Sequence, residues 1–188
     1  MKKICVTNRL LCKNNFLEQI EKICKEEVHA VILREKDLDD ESYEKLFVDC
    51  NEICKKYNIP LFVNSKIDVA IKLDCKNIQF SYDDFLNNPD KLHLFDTIAV
   101  SVHSLSEALV LQKYVEETNQ KVFIIAGHIF ETDCKKGLTP KGIEFLKEIC
   151  DNVEIPVFAI GGINDKTIKQ LKDINIEGVC LMSAFMLK

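Results

Sequence analysis

Val122 to Gly137 reads VFIIAGHIFETDCKKG. An apolar run ends in Gly127 and His128, and a dense polar loop follows at once. Strands buried on both faces of a parallel sheet read as near-continuous apolar runs, and the polar groups of α/β folds gather where such strands end. This one stretch therefore predicts a parallel sheet that carries its chemistry at the strand ends.

Working outward, similar short runs recur with amphipathic segments between them. Strands are expected near Lys3 to Asn8, Ala30 to Arg34, Leu61 to Asn64, Asn77 to Ser81, Thr97 to His103, Lys121 to Ile129, Pro156 to Gly161 and Gly178 to Ser183. Between them Phe16, Leu17, Ile20, Ile23 and Cys24 recur on one helical face, as do Tyr43, Leu46, Phe47, Cys50, Ile53 and Cys54. Lys66 to Leu73, Leu105 to Glu117, Pro140 to Cys150 and Asn164 to Ile174 complete the helical series, while Asp83 to Phe95 is short and interrupted by Pro89.

Strict alternation of strand and helix demands a parallel sheet, because each crossover returns the chain to start the next strand in the same direction. Eight repeats favour a closed (β/α)₈ TIM barrel over an open doubly wound sheet. One domain over residues 1–188 is expected, with the eighth helix missing or vestigial, since the sequence stops just beyond the eighth strand. Apolar wall left bare there should be covered by a second copy of the chain or by the Ala184 to Leu187 tail. A homo-oligomer, most simply a dimer, is the expected assembly.

Composition excludes several function classes. With 25 Lys and Arg against 30 Asp and Glu, the net charge of -5 argues against a nucleic-acid partner. No apolar run approaches the ~20 residues of a membrane span, and Met1-Lys2-Lys3 leads into a strand rather than a secretion signal, so a cytoplasmic protein with no membrane partner is expected. The nine cysteines are scattered and form no C-x-x-C pair, which supports neither a disulfide framework nor a metal knuckle. Cys50 and Cys54, one helical turn apart, read as small buried apolar residues.

On a barrel all strand ends converge on one mouth. It would gather Arg34, Glu35 and Lys36 from the second strand, Asn64 and Lys66 from the third, Ser81 and Asp84 from the fourth, and Ser101 and His103 from the fifth. The sixth would add His128, Glu131, Thr132, Cys134 and Lys135, the seventh Gly161 and Gly162, and the eighth Ser183 and Ala184. Gly161-Gly162 followed by Asn164 or Asp165 would expose backbone N–H groups at a helix start, a seat for phosphate. Arg34 and Lys36 either face the mouth and bind an anion, or belong to a surface charge run paired with Glu35 and Asp37. His128 is the candidate catalytic group, because an imidazole both takes and returns a proton near neutral pH. Glu131 could orient it or act as a second acid or base. Cys134 beside Lys135 and Lys136 ranks lower as a nucleophile, and His103 either lines the mouth or is structural.

These segments resemble the thiamine-phosphate synthase and TenI family. The matching runs are LREKDL at Leu33 to Leu38, VNSKIDVAIKL at Val63 to Leu73, VSVHSLSEA at Val100 to Ala108, GHIFETDCKKGL at Gly127 to Leu138, IPVFAIGGI at Ile155 to Ile163 and VCLMSAF at Val179 to Phe185. The resemblance spans nearly the whole chain in order and implies the same barrel.

Two activities divide that family. Synthases join an aminopyrimidine diphosphate to a thiazole phosphate with magnesium, and show Gln-x-Arg-x-Lys at the second strand, an Asn-Asp pair at the third, and Gly-Pro-x-Phe with Thr-x-Thr-Lys at the sixth. Here the corresponding residues are Ile32, Asn64-Ser65, Gly127-His128-Ile129-Phe130 and Thr132-Asp133-Cys134-Lys135. Serine for aspartate removes a hard anionic oxygen, leaving Asp84 as the obvious magnesium carboxylate should the synthase reading hold. The sixth-strand wording instead looks like the TenI branch, whose members are thiazole tautomerases. The resemblance therefore implies proton transfer by His128 in a carboxylated thiazole phosphate, without cofactor. Phosphate would rest on Gly161, Gly162, Ser183 and Ala184, with Lys135 or Arg34 near the carboxylate, and Lys36, Asn64, Ser101 and Thr132 completing the binding set. A magnesium-dependent synthase, or a non-catalytic homologue that binds a phosphate ligand, are the alternatives.

Overall fold

The computed structural model describes residues 1–26, 28–132 and 137–188. Eight parallel strands close on themselves in chain order: β1 (Lys2–Val6), β2 (Ala30–Leu33), β3 (Leu61–Asn64), β4 (Asn77–Ser81), β5 (Thr97–Val102), β6 (Lys121–Gly127), β7 (Val157–Ile160) and β8 (Gly178–Leu181). Closure is made by β8 on β1, with Lys2 opposite Gly178 and Cys5 opposite Leu181. The expected TIM barrel is the observed fold.

Strand parity sorts the core into two bodies. Ile4, Val6, Ala30, Ile32, Phe62, Ala99, Ile125, Phe158 and Cys180 fill the barrel interior. Near its base Phe123 packs against Phe62 and Phe158, with ring centroids 5.7 and 5.1 Å apart. The alternate residues, such as Val31, Leu33, Val63, Ile78, Val100 and Ile124, face the surrounding helices. One further step along the inward parity reaches Arg34, Asn64, Gln79 and Ser101, so polar residues succeed apolar ones towards the C-terminal mouth.

The outer wall is built by α1 (Phe16–Lys25), α2 (Asp40–Lys56), α3 (Ile67–Lys72), α4 (Tyr82–Asn87), α5 (Leu105–Thr118) and α6 (Gly142–Asn152). Their starts are fixed locally. Asn15 caps α1 through Leu17 and Glu18 N–H, and Asp39 caps α2 through Ser42 N–H at 2.7 Å. Ser104 takes the Glu107 N–H while the Glu107 carboxylate takes that of His103, a reciprocal arrangement at the head of α5. Pro89 opens a 3-10 stretch, Pro89–Leu94, after the single α4 turn, in line with the weak helix expected there.

Two elements near the end of the chain differ in weight from the six helices. The helix expected over Asn164 to Ile174 does not form: turns are followed by one 3-10 segment, Ile168–Leu171. The Asn164 side chain accepts from Lys166 and Thr167 N–H, and the Thr167 hydroxyl donates to Gly162 O at 2.9 Å, which favours a tight turn over helix entry. After β8 the vestigial eighth helix is a single turn, α7 (Ser183–Met186). Phe185 and Met186 are buried, and buried Gln19 of α1 donates to Phe185 O at 2.7 Å. Of the two covers expected for that wall, the tail supplies one. No helix among the described residues is long and apolar enough to cross a membrane, and all eight described cysteines are free, with Cys50 and Cys54 buried.

Candidate active site

A cavity of about 270 Å³ opens at the C-terminal mouth. Its floor is apolar, from Val6, Ile32, Ile125, Ile160 and Cys180, and its rim carries Arg34, Lys36, Asn64, Ser101, His128, Thr132, Gly161, Gly162 and Ser183. The structure thus brings most of the expected mouth residues together, but not Glu35 or Lys66, neither of which is in the lining. Lys135 lies outside the described residues, as does Cys134. Ala184 follows Ser183 on α7 but is not in the cavity lining. Asp84 stands on the first turn of α4, its N–H taken by Ser81 Oγ, and its side chain is not in the lining either. Glu131 is exposed and also outside the lining, so it is not placed to orient His128.

Gln79 is a lining residue that the sequence reading passed over. It is buried on β4 and organises one wall of the cavity. Its Nε2 donates to Phe80 O at 2.6 Å and to Ser101 Oγ at 3.0 Å, while its Oε1 accepts from Asn64 Nδ2. A carbonyl only accepts, so the Phe80 contact fixes which end of the Gln79 amide is nitrogen. Asn64 must then present its Oδ1, and Ser101 its hydroxyl hydrogen, to other partners. Tyr43 of α2 reinforces this wall: its hydroxyl donates to Leu33 O at 2.6 Å and accepts the Asn64 N–H at 3.2 Å.

The two readings of the Arg34 to Asp37 run separate cleanly. Glu35 and Asp37 pair with Arg9 from the segment after β1, not with Arg34 or Lys36. Arg9 Nη1 and Nη2 each reach Asp37 at 2.6 Å, and buried Glu35 accepts from Thr7 Oγ1 at 2.6 Å, from Arg9 N at 3.0 Å and from Arg9 Nη1 at 3.3 Å. The Arg9 fork holds the Asp37 carboxyl below its ordinary range. Among the described residues Arg34 and Lys36 have no ion-pair partner, and both line the cavity.

His128 is buried, with 5% of its surface exposed, yet borders the cavity. Its backbone is held on two sides: Lys141 N–H donates to His128 O at 2.8 Å, and Ile129 and Phe130 N–H donate to Ile160 O and Gly161 O. The ring Nε2 lies 3.3 Å from Leu138 O. Because that carbonyl can only accept, the neutral ring carries its hydrogen on Nε2 and its lone pair on Nδ1. Beside it, His103 Nδ1 sits 2.5 Å from Gly127 O, and His103 also lines the cavity. Against the His128 segment, at the end of the neighbouring strand, Gly161 and Gly162 adopt φ of +100° and +66°, conformations that favour glycine and bring their backbone close to His128 and Phe130. The expected helix dipole behind them is missing, so an anion there would rely on N–H and hydroxyl groups alone.

The described lining therefore offers cations, imidazoles, hydroxyls and amides, but no carboxylate. Magnesium prefers hard anionic oxygens. The described lining residues do not fit a magnesium ion held by protein carboxylates.

A closed barrel that gathers cations, imidazoles and glycine-rich backbone at the C-terminal mouth carries its polar groups where barrel enzymes carry their active sites. The chain belongs to the thiamine monophosphate synthase family, designated TMP-TENI, whose model matches residues 4–185; it is thus a member of an enzyme family of thiamine biosynthesis. It is similar to thiamine-phosphate synthase of Clostridium tetani, 31% identical over 96% of this chain and 86% of the relative. A second synthase, from Clostridium botulinum, is 33% identical over 96% and 84%. Among solved structures, thiamine phosphate pyrophosphorylase from Pyrococcus furiosus aligns with a TM-score of 0.78 and 26% identity, over 100% of this chain and 88% of that one. The names of these relatives favour the transferase, placed second in the sequence analysis, over the isomerase placed first.

Proposed function

We propose that this chain is a thiazole tautomerase acting on a carboxylated thiazole phosphate. One observation carries the reading: buried His128 faces a cavity whose described lining holds the unpaired cations Arg34 and Lys36 and no carboxylate. Such a site can bind an anionic molecule and move a proton, and its described residues include none of the carboxylates that suit a metal-assisted displacement.

In this reaction Nδ1 of His128 takes the proton from the ring carbon bearing the carboxylate. The electrons of that C–H bond form a double bond to the ring nitrogen, those of the existing ring C=N shift to the adjacent ring C–C bond, and those of the exocyclic alkene take up a proton at the side-chain carbon. The imidazolium can return the proton there, which leaves the enzyme unchanged and the ring aromatic. Arg34 and Lys36 bind the carboxylate and stabilise negative charge as it spreads through the ring. Gly161, Gly162 and Ser183, with Ala184 behind, receive the phosphate, and Asn64 and Ser101 present an acceptor and a donor to the polar edge of the substrate.

The test follows loss of the dearomatised tautomer with wild type and His128→Asn. A fall of about 10²-fold or more is expected for a lost acid/base group; equal rates would remove His128 from the mechanism. The names of the relatives support a second reading, the synthase. Incubation with an aminopyrimidine diphosphate, a thiazole phosphate and magnesium decides between them, because robust thiamine phosphate formation would overturn the tautomerase.

A further inference from the structure

Residues 34–37 read Arg-Glu-Lys-Asp, two cations and two carboxylates in direct succession. Left to themselves, such neighbours neutralise one another, and a mouth lined by neutralised cations has little hold on an anion. What separates the charges is a residue 25 positions earlier that does not line the cavity.

We propose that Arg9 is a positioning residue for the anion site: by holding Glu35 and Asp37 it keeps both carboxylates away from Arg34 and Lys36. The geometry on which this rests is specific. The guanidinium forks onto Asp37 with two bonds of 2.6 Å and reaches Glu35 through Nη1, while the Arg9 backbone N–H bridges both Glu35 oxygens. The Glu35 side chain is 1% exposed, so it cannot turn to solvent and depends on these donors together with Thr7 Oγ1. Thr7 Oγ1 in turn accepts the Arg34 N–H at 2.9 Å, which fixes the backbone from which Arg34 enters the cavity. Three cations and two carboxylates sum to one positive charge, and the pairing keeps both carboxylates with Arg9 and leaves the two charges of Arg34 and Lys36 to the mouth.

Removing a cation outside the cavity should therefore weaken anion binding inside it, because Asp37 would be released toward Lys36 and Arg34. The inference rests on the anion-binding part of the proposed function and on neither activity. Its test is inorganic phosphate binding by isothermal titration calorimetry at low ionic strength, where surface electrostatics are least screened. Arg9→Gln keeps donors for buried Glu35 but removes the charge; its affinity is expected to fall about five- to tenfold. Asp37→Asn in the wild-type background should change affinity less than about twofold, yet restore most of the loss when combined with Arg9→Gln. Arg9→Lys should lie between wild type and Arg9→Gln, as a point charge lacks the fork. Phosphate affinity of folded Arg9→Gln equal to wild type, or no recovery in the double variant, overturns the inference while leaving the anion site standing. Absence of phosphate binding in wild type would overturn the anion site and the inference together.

Discussion

Gly161 backs directly onto His128: a Cβ built on Gly161 would overlap both Cβ and Cα of the histidine. The two residues sit on neighbouring strand ends, where Phe130 N–H donates to Gly161 O at 3.0 Å. The glycine thus sets how close β7 approaches the segment that aims the imidazole. Gly161→Ala meets a backbone clash and a φ of +100°, so a loss of about 2 kcal/mol or more in stability is expected, with a fall in kcat as His128 is displaced. Gly142→Ala is the control, since its φ of +81° is strained but nothing stands within 4 Å of the added carbon; it should cost about 1–2 kcal/mol and leave kcat unchanged. Urea denaturation and steady-state kinetics on the two variants would refute the idea if they behaved alike.

Arg34 should be felt in substrate binding rather than in folding. It is half-buried, and among the described residues it has no carboxylate to leave behind. Charge-assisted hydrogen bonds to a ligand are worth about 1.5–3 kcal/mol, so Arg34→Met should raise KM about 10- to 100-fold. The same variant should keep the wild-type unfolding midpoint within about 0.5 kcal/mol. A large stability loss with unchanged KM would mean that the guanidinium serves the fold.

The contrast between Gly161 and the segment after it shows how far the sequence could be read. The eight strands were legible because buried parallel strands are apolar throughout, and the inward parity of Asn64 and Ser101 follows from their place in those runs. The helix expected over Asn164 to Ile174 failed for a reason visible in hindsight. Ile168, Leu171 and Ile174 are spaced by three, which suits the three residues per turn of a 3-10 segment better than an α-helical stripe. Gln79 was missed although it interrupts the apolar run Ile78-Gln79-Phe80 at an inward position, a signal for a polar group facing the barrel axis. Nothing local in Asn8-Arg9-Leu10 announces a partner for Glu35 and Asp37, because that pairing exists only once β1 and β2 are side by side.

Gln79 should matter to both stability and specificity. Gln79→Met keeps volume but removes the acceptor for Asn64 Nδ2 and the donor for Phe80 O and Ser101 Oγ. Buried polar groups left unpaired cost about 1–3 kcal/mol, and the freed amide of Asn64 can turn over. The expected result is a lowered unfolding midpoint together with a raised KM. Unchanged values for both would show that the wall is organised by Tyr43 alone.

A last prediction concerns acid. Glu21 of α1 accepts a 2.7 Å hydrogen bond from the Tyr57 hydroxyl and pairs with Lys56 at 3.1 Å, tying α1 to the end of α2. These contacts, the Tyr57 bond first, lower its pKa from 4.5 to about 2. A carboxylate with a depressed folded pKa binds fewer protons in the native state than in the unfolded one. Its contribution is complete above pH 4.5 and is lost as pH falls toward about 2. The group lies at the surface, so the effect is small in absolute terms and is best read as a difference. Glu21→Gln should flatten the decline of urea midpoint with pH across that window and leave the midpoint's pH dependence near neutrality as in wild type. If the two proteins lose stability in parallel as pH falls, the Glu21 to Tyr57 tie contributes nothing to holding α1 and α2 together.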